Sequence, residues 1–135
     1  MEIVKTFYSL DKMHRSSICK RTDGLYDYYS EELEQDYYID DDGQVISLDD
    51  YYWRGDNEGG SITDSLENAE KILKEDFVYE CFEAPCVDEM DDIELKDGRT
   101  GKVIEITSKG DYVIAINDLY KEKMTVSIRD IIKVL

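Results

Sequence analysis

Short runs rich in β-branched and aromatic residues give the last third of the chain its clearest pattern. These runs cover residues 103–106, 112–116, 124–128 and 131–135. Asp97-Gly98 predicts a tight turn before the first run, and Lys109-Gly110-Asp111 predicts one between the first and the second. Arg129-Asp130 suits one helical turn before the last run. Five short strands within residues 93–135 are typical of a small closed or half-closed β-barrel.

The N-terminal part of the chain also predicts strands. The candidates are "EIVKTFYSL", "SSICKR" and "LYDYYS". Thr22-Asp23-Gly24 supplies a hairpin turn between the second and the third. We therefore expect a twisted antiparallel sheet in this region.

The stretch "SITDSLENAEKILKEDF" predicts a helix over residues 62–77. Its apolar residues recur about every 3.6 positions and define one face: Leu66, Ala69, Ile72, Leu73 and Phe77. Thr63 or Asp64 can cap the N-terminus, and Glu67 completes a capping box with Asp64. We expect the apolar face to pack on the N-terminal sheet.

These elements predict an α+β fold in two parts. Residues 1–84 form an acidic domain of a sheet plus one helix, and residues 93–135 form the barrel. Residues 85–92 form an acidic linker, because the lone Pro85 and the polar "VDEMDD" separate the two patterned regions.

The C-terminal segment is similar to a known class of small barrels. "KDGRTGKVIEI" resembles the opening of SH3-like and KOW-type barrels, and "TVSIRDIIKVL" resembles their ending. The resemblance implies the barrel fold and says little of function, since such barrels serve ribosomal, chromatin and structural roles. Residues 93–135 contain eight bases and seven acids, for +1, whereas RNA-binding KOW barrels usually have a basic face.

Charge is distributed unevenly along the chain. The net charge is −17, and residues 23–58 contribute −12 of it from thirteen acids and one base. A net charge of this size exceeds what solubility requires, and its self-repulsion destabilises the compact state. It disfavours binding to nucleic acid or to an anionic membrane, and it indicates a basic protein partner.

The most acidic stretch is also the most aromatic, because the tripeptide Asp-Tyr-Tyr occurs at 27–29, 36–38 and 50–52. In a strand, one tyrosine of each adjacent pair is expected to point inward and the other outward. Outward aromatics among carboxylates are typical of an interface that attracts a basic partner quickly. The predicted partner-binding residues are Asp36, Tyr37, Asp40, Asp41, Asp42, Asp49, Asp50, Tyr51, Tyr52, Trp53, Asp56 and Glu58.

A second resemblance concerns the N-terminal part. "KRTDGLYDYYS", followed by "GSITDSLENAEKIL", is similar in layout to small acidic immunity proteins of bacterial polymorphic-toxin systems. The resemblance implies a cytoplasmic inhibitor that occludes the active site of a cognate basic toxin of the nuclease type. Two alternatives remain open. One is a phage-encoded nucleic-acid mimic that inhibits a CRISPR or restriction nuclease, and the other is an adaptor that binds through the SH3-like barrel.

No pattern predicts an enzyme, a cofactor or a metal site. Glu94-Leu95-Lys96 with Asp92 has the spacing of some metal-dependent nucleases, but such a set arises easily in a chain with 36% charged residues. A calcium loop aligned on Gly43 would place Tyr38 at its first position, where a carboxylate is needed.

The cysteine pattern does not match a common metal site either. Together with His14, the spacing of Cys19, Cys81 and Cys86 does not fit zinc knuckles. An odd number of cysteines favours reduced thiols in a cytosol. We also expect no signal peptide and no membrane span, because no apolar run is long enough.

Overall fold

A computed structural model describes residues 2–55, 62–116 and 122–135. The strands are β1 Glu2–Ser9, β2 His14–Lys20, β3 Tyr26–Ile39, β4 Val45–Gly55, β5 Cys81–Glu83, β6 Asp92–Leu95, β7 Thr100–Ile106, β8 Tyr112–Ala115, β9 Lys123–Val126 and β10 Ile131–Val134. The helix α1 spans Leu66–Asp76, and a 3₁₀ helix spans Ile128–Asp130.

The predicted α+β class is wrong, because the described residues are 54% strand and only 11% helical. They form two antiparallel five-stranded sheets with one α-helix. The error has a physical origin. The acidic stretch after Tyr29 lacks a clear alternation of apolar residues, yet it continues as strand to Ile39 and returns as β4.

The first sheet has the strand order β4-β3-β2-β1-β5. β1 pairs with β2 and β2 with β3, both antiparallel, and the last pair between β2 and β3 joins His14 to Glu32. β3 therefore continues for seven residues, 33–39, beyond its partner β2. The strands predicted for the N-terminal part are confirmed, with β3 longer than expected.

The helix prediction is confirmed in its core, and its cap is corrected. Ser65 is the N-cap, and its side chain accepts a hydrogen bond from the Asn68 amide, so neither Thr63 nor Asp64 caps the helix. The backbone of Thr63 instead forms a two-hydrogen-bond bridge with Tyr26, which holds it outside the helix.

No helix in the described part of the chain is long and apolar enough to cross a membrane.

The predicted apolar face of α1 packs on one face of the first sheet. Ala69, Leu73 and Phe77 join Phe7, Ile18 and Tyr28 in a buried cluster, and Leu66 and Ile72 pack at its margin. A salt bridge of 3.0 Å from Lys5 to Glu70 adds a polar contact between β1 and the helix.

A buried ion pair lies between β2 and β3. Arg15, only 1% exposed, donates from Nε to Glu31 Oε1 at 2.9 Å and from Nη2 to Oε2 at 3.2 Å. Its Nη1 also lies 3.4 Å from the Tyr8 hydroxyl, which in turn donates to the carbonyl of Pro85 at 2.8 Å. Burial alone would lower the pKa of Arg15, but Tyr8 and Glu31 raise it above its ordinary value.

The second sheet has the strand order β10-β6-β7-β8-β9. Its buried side chains include Ile93, Val103, Ile114 and Ile128. The 3₁₀ helix before β10 is held by a capping box between Ser127 and Asp130. The five short strands predicted for this segment are confirmed, whereas its SH3-like or KOW-type character stays a prediction.

The described chain divides into two compact units. One contains residues 1–32 and 55–86, and the other contains residues 33–54 and 87–135. The predicted division into 1–84, 85–92 and 93–135 stays a prediction. The second unit contains the distal hairpin of the first sheet, residues 33–54, and this hairpin includes most of the predicted partner-binding residues.

Candidate protein-binding hairpin

The turn of the hairpin 33–54 is built by Asp40. Its carboxylate accepts hydrogen bonds from the amides of Asp42 at 3.0 Å and Gln44 at 2.9 Å. The Asp40 carbonyl accepts from the amide of Gly43, which has a φ of 80° that an L side chain rarely adopts. Asp40 therefore has a structural role in the turn, in addition to any contact with a partner.

Large apolar side chains are exposed on both sides of the turn. The exposed fractions are 56% for Tyr37, 51% for Tyr38, 63% for Ile39 and 64% for Val45. Successive side chains of a strand point to opposite faces, so both faces of the hairpin present apolar surface to solvent. Exposed apolar groups gathered in this way are typical of an interaction surface.

The expectation that one tyrosine of each pair points inward is wrong for Tyr37-Tyr38. Both are exposed, because β3 has no β2 residues beside it after Glu32. The alternation holds better in β4, where Tyr51 is half-buried and Tyr52 is exposed. Trp53 is also half-buried, so its removal would disturb packing as well as any contact with a partner.

The hairpin is strongly acidic. Residues 33–54 contain seven acids and one base, for −6. Asp41 and Asp42 at the tip are exposed. The single base, Arg54, forms a 3.0 Å ion pair with Glu34. The field around the exposed aromatics is therefore negative, and it would raise the encounter rate with a basic partner.

Within the second unit, the carboxylate of Asp50 on the hairpin interacts with that of Glu89. Desolvation raises the pKa of Glu89 above its usual range, and a hydrogen bond with Asp50 and the charge of Glu105 raise it further. Glu89 nevertheless remains exposed, so water screens much of this effect. Ionised Glu89 is therefore disfavoured in the folded protein by burial and by the nearby negative charges.

Replacement of Glu89 by glutamine should therefore stabilise the protein at neutral pH. A carboxyl whose folded pKa is raised adds stability below its unfolded pKa, and this stability is lost as pH rises through the folded value. Glutamine cannot ionise, so this stability is not lost in Glu89→Gln. We therefore expect the free energy of unfolding to rise by about 0.5 kcal/mol at pH 7 and by less at pH 4. Urea unfolding at both pH values measures it, and a gain that is larger at pH 4 would contradict the assignment.

The predicted partner-binding residues differ in how far their side chains are exposed. Those with exposed side chains are Tyr37, Asp41, Asp42, Asp50 and Tyr52, and those with half-buried side chains are Asp36, Asp40, Tyr51 and Trp53. The side chain of Asp49, and Asp56 and Glu58 altogether, lie outside the part of the chain that the structure describes.

Sequence reasoning missed several residues of this surface. Tyr38, Ile39, Val45 and Leu48 are exposed apolar residues of the hairpin that were not among the candidates. The signal was present, since Asp40-Asp41-Asp42-Gly43 is a strong turn sequence between two apolar-containing runs. A hairpin with its turn at this position places all four close to the tip.

The candidate zinc residues do not form a site in the described part of the chain, where no group of three or more His, Cys, Asp or Glu residues is placed to hold a metal. The ring of His14 stacks on Tyr79 with centroids 4.2 Å apart. Cys19 is buried in β2, and burial, with a smaller contribution from Asp27, raises the pKa of its thiol to about 11. This thiol is therefore protonated and unreactive at neutral pH.

Comparisons of the chain with protein-family models, with curated proteins and with solved structures find no match.

Proposed function

We propose that this chain is a non-catalytic acidic binding protein whose hairpin 33–54 engages a basic protein. The observation that supports the proposal is the combination of exposed apolar side chains at Tyr37, Tyr38, Ile39 and Val45 with a hairpin charge of −6. Apolar anchors provide the buried area of an interface. The surrounding carboxylates select a partner of opposite charge and speed its association.

The partner class that fits best is a basic toxin of the nuclease type, and the chain is then its immunity protein. Nuclease clefts are positively charged because they hold phosphates. An acidic hairpin with aromatic side chains can enter such a cleft and occlude the active site. Fast association is valuable in this role, because free toxin harms the cell that makes it. The resemblance of "KRTDGLYDYYS" and "GSITDSLENAEKIL" to immunity proteins supports the same choice.

A neutralisation assay tests this function. The product of the gene directly upstream is expressed in a bacterial host, alone and together with this chain. We expect growth to stop when the upstream product is expressed alone and to recover when the chain is present. A variant with Tyr37→Ser and Tyr38→Ser should restore growth poorly, because it removes apolar anchors without changing charge.

The matched control is Ile132→Ser, which removes an apolar side chain of similar exposure, 48%, from β10 of the second sheet. This variant should restore growth fully. The proposal is wrong if the upstream product is harmless. It is also wrong if the tyrosine variant protects as well as the unaltered chain. Loss of protection by Ile132→Ser alone would instead favour an adaptor that binds through the second sheet.

A further inference from the structure

One edge of the first sheet is formed by β4, a strand without lysine or proline. β4 is the edge strand and spans eleven residues. Natural proteins usually protect an edge of this length with lysine, proline or a bulge, or by keeping the strand short. β4 contains no proline and no lysine, and its one base, Arg54, is paired with Glu34.

The turn geometry identifies which backbone groups of β4 face outward. The amide of Asp40 donates to the carbonyl of Gln44 at 3.0 Å, so the backbone groups of Gln44 face β3. Because backbone groups alternate in direction along a strand, those of Val45 and Ser47 face the open edge and those of Ile46 face β3. The carbonyl of Leu48 accepts from Gln35 of β3 at 2.8 Å, which agrees with this alternation.

The opposite edge of the hairpin is partly closed. There the amide of Tyr37 donates to its neighbour Asp36, at 2.8 Å from Oδ1. The side chain of Asp36 thus occupies a donor that an added strand would need. Among the residues that the structure describes, no side chain caps the amide of Val45 or Ser47 in this way, and both residues are exposed.

Charge decides what can pair with the open edge of β4. A second copy of the chain would bring its own hairpin, also with a charge of −6, against this one, and the like charges would repel. A basic extended segment would instead place its lysines and arginines beside the aspartates of the tip. The same negative charge therefore opposes self-pairing and favours a basic strand.

We propose that the outer edge of β4, at residues 45–48, accepts an extended basic segment of the partner as an added strand. The inference rests on the proposed function and specifies how the hairpin binds. The amides of Val45 and Ser47 donate to the added strand, and their carbonyls accept from it. The side chains of the added strand alternate between the two faces of the hairpin, so those on one face can cover Val45 and those on the other can pair with nearby aspartates.

A pair of peptides tests this mode of binding on the full chain. The probe is a labelled peptide of alternating lysine with valine or tyrosine. Its twin is N-methylated at the central residues, which keeps the charge and the side chains but removes the backbone donors of both edges. We expect the twin to bind at least about tenfold more weakly by fluorescence anisotropy, a difference of about 1.4 kcal/mol.

Amide hydrogen exchange supplies a readout for each residue. The unmethylated probe should slow exchange at Val45 and Ser47 and leave Ile46 unchanged, because the amide of Ile46 already faces β3. Ser47→Pro removes one outward donor and should weaken binding of the probe, whereas Ser47→Ala keeps that donor and should not. Proline is tolerated on the open side of an edge strand, and a thermal melt verifies that the variant is folded.

Each outcome separates this inference from the proposed function. Equal binding of the two peptides, or no protection at Val45 and Ser47, would overturn strand addition. If neither peptide binds while the chain still neutralises its toxin, strand addition is likewise wrong and the proposed function stands. Failure of the neutralisation assay together with selective binding of the unmethylated probe would leave the edge site in place and reject the immunity role.

Discussion

Replacement of Glu31 by glutamine is expected to lower the free energy of unfolding by about 3 kcal/mol. The change keeps the shape of the side chain but leaves the guanidinium of Arg15, 1% exposed, without its compensating charge. The side chain of Glu31 is itself only 12% exposed, so water cannot take its place fully. Many domains have a total stability of about 5–15 kcal/mol, and the loss would be visible as a large shift of the urea midpoint.

A surface pair in the same chain supplies the control. Arg54 and Glu34 form an ion pair of the same type at 3.0 Å, but the Arg54 side chain is 66% exposed. Glu34→Gln should therefore cost less than about 1 kcal/mol. The double replacement Arg15→Met with Glu31→Leu should recover much of the lost stability, since it removes both buried charges together. Equal effects of Glu31→Gln and Glu34→Gln would show that burial does not strengthen the first pair.

The buried ion pair illustrates what the sequence could not predict. Arg15 directly precedes the predicted strand "SSICKR", and nothing in the sequence around it indicates that the arginine is buried. Its burial depends on the register of β2 and β3, which places Arg15 opposite Glu31. Register depends on tertiary structure and cannot be read from a local pattern. Glu31 is one of several acids in "SEELEQ", and nothing in that segment marks it as the partner of Arg15.

Local signals explain the successful predictions. The apolar face of α1 follows from a repeat that is complete within the helix itself, and Ala69 and Leu73 are fully buried as expected. The turns at Gly24 and Gly98 were predicted from their sequences, and both glycines adopt positive φ. The helix cap was predicted wrongly because several consecutive residues can each cap a helix. The bridge to Tyr26 excludes Thr63, and the hydrogen bond from the Asn68 amide assigns the cap to Ser65.

The candidate binding surface could be predicted only in part from the sequence. Composition alone identified the acidic aromatic stretch, because charge and residue type do not depend on the fold. Exposure of both Tyr37 and Tyr38 depends on where β2 ends, at a pairing of His14 with Glu32. The basic partner therefore stays a prediction from composition, while the exposure of Tyr38, Ile39 and Val45 makes the tip of the hairpin the place to test it.

The largest effects on partner binding are expected from the exposed tyrosines of this tip. Under the proposed function, Tyr37→Ala and Tyr38→Ala should each weaken toxin binding by about 2 kcal/mol if the residue is a hot spot, which is about thirtyfold in Kd. The loss should come from faster dissociation, because short-range contacts form after the encounter. Both side chains are exposed in the free protein, so the thermal unfolding midpoint should not change.

Replacing the aspartates of the tip by asparagine should change the association rate constant rather than the dissociation rate constant. Asp41→Asn with Asp42→Asn removes two exposed charges and should slow association several-fold at low salt, with a flatter dependence on ionic strength. Asp40 is left unaltered because its carboxylate holds the turn. The control, Asp64→Asn with Glu75→Gln, removes two exposed charges near or on α1 instead.

Surface plasmon resonance across a range of salt concentrations separates these effects. If the control slows association as much as the tip variant, the net charge of the whole chain attracts the partner, and the hairpin has no special electrostatic role. If the tyrosine variants leave dissociation unchanged, the exposed apolar surface of the hairpin is not buried by the partner, and the binding site lies elsewhere. Faster dissociation in the tyrosine variants, with slower association confined to the tip aspartates, requires that the partner contact the end of the hairpin.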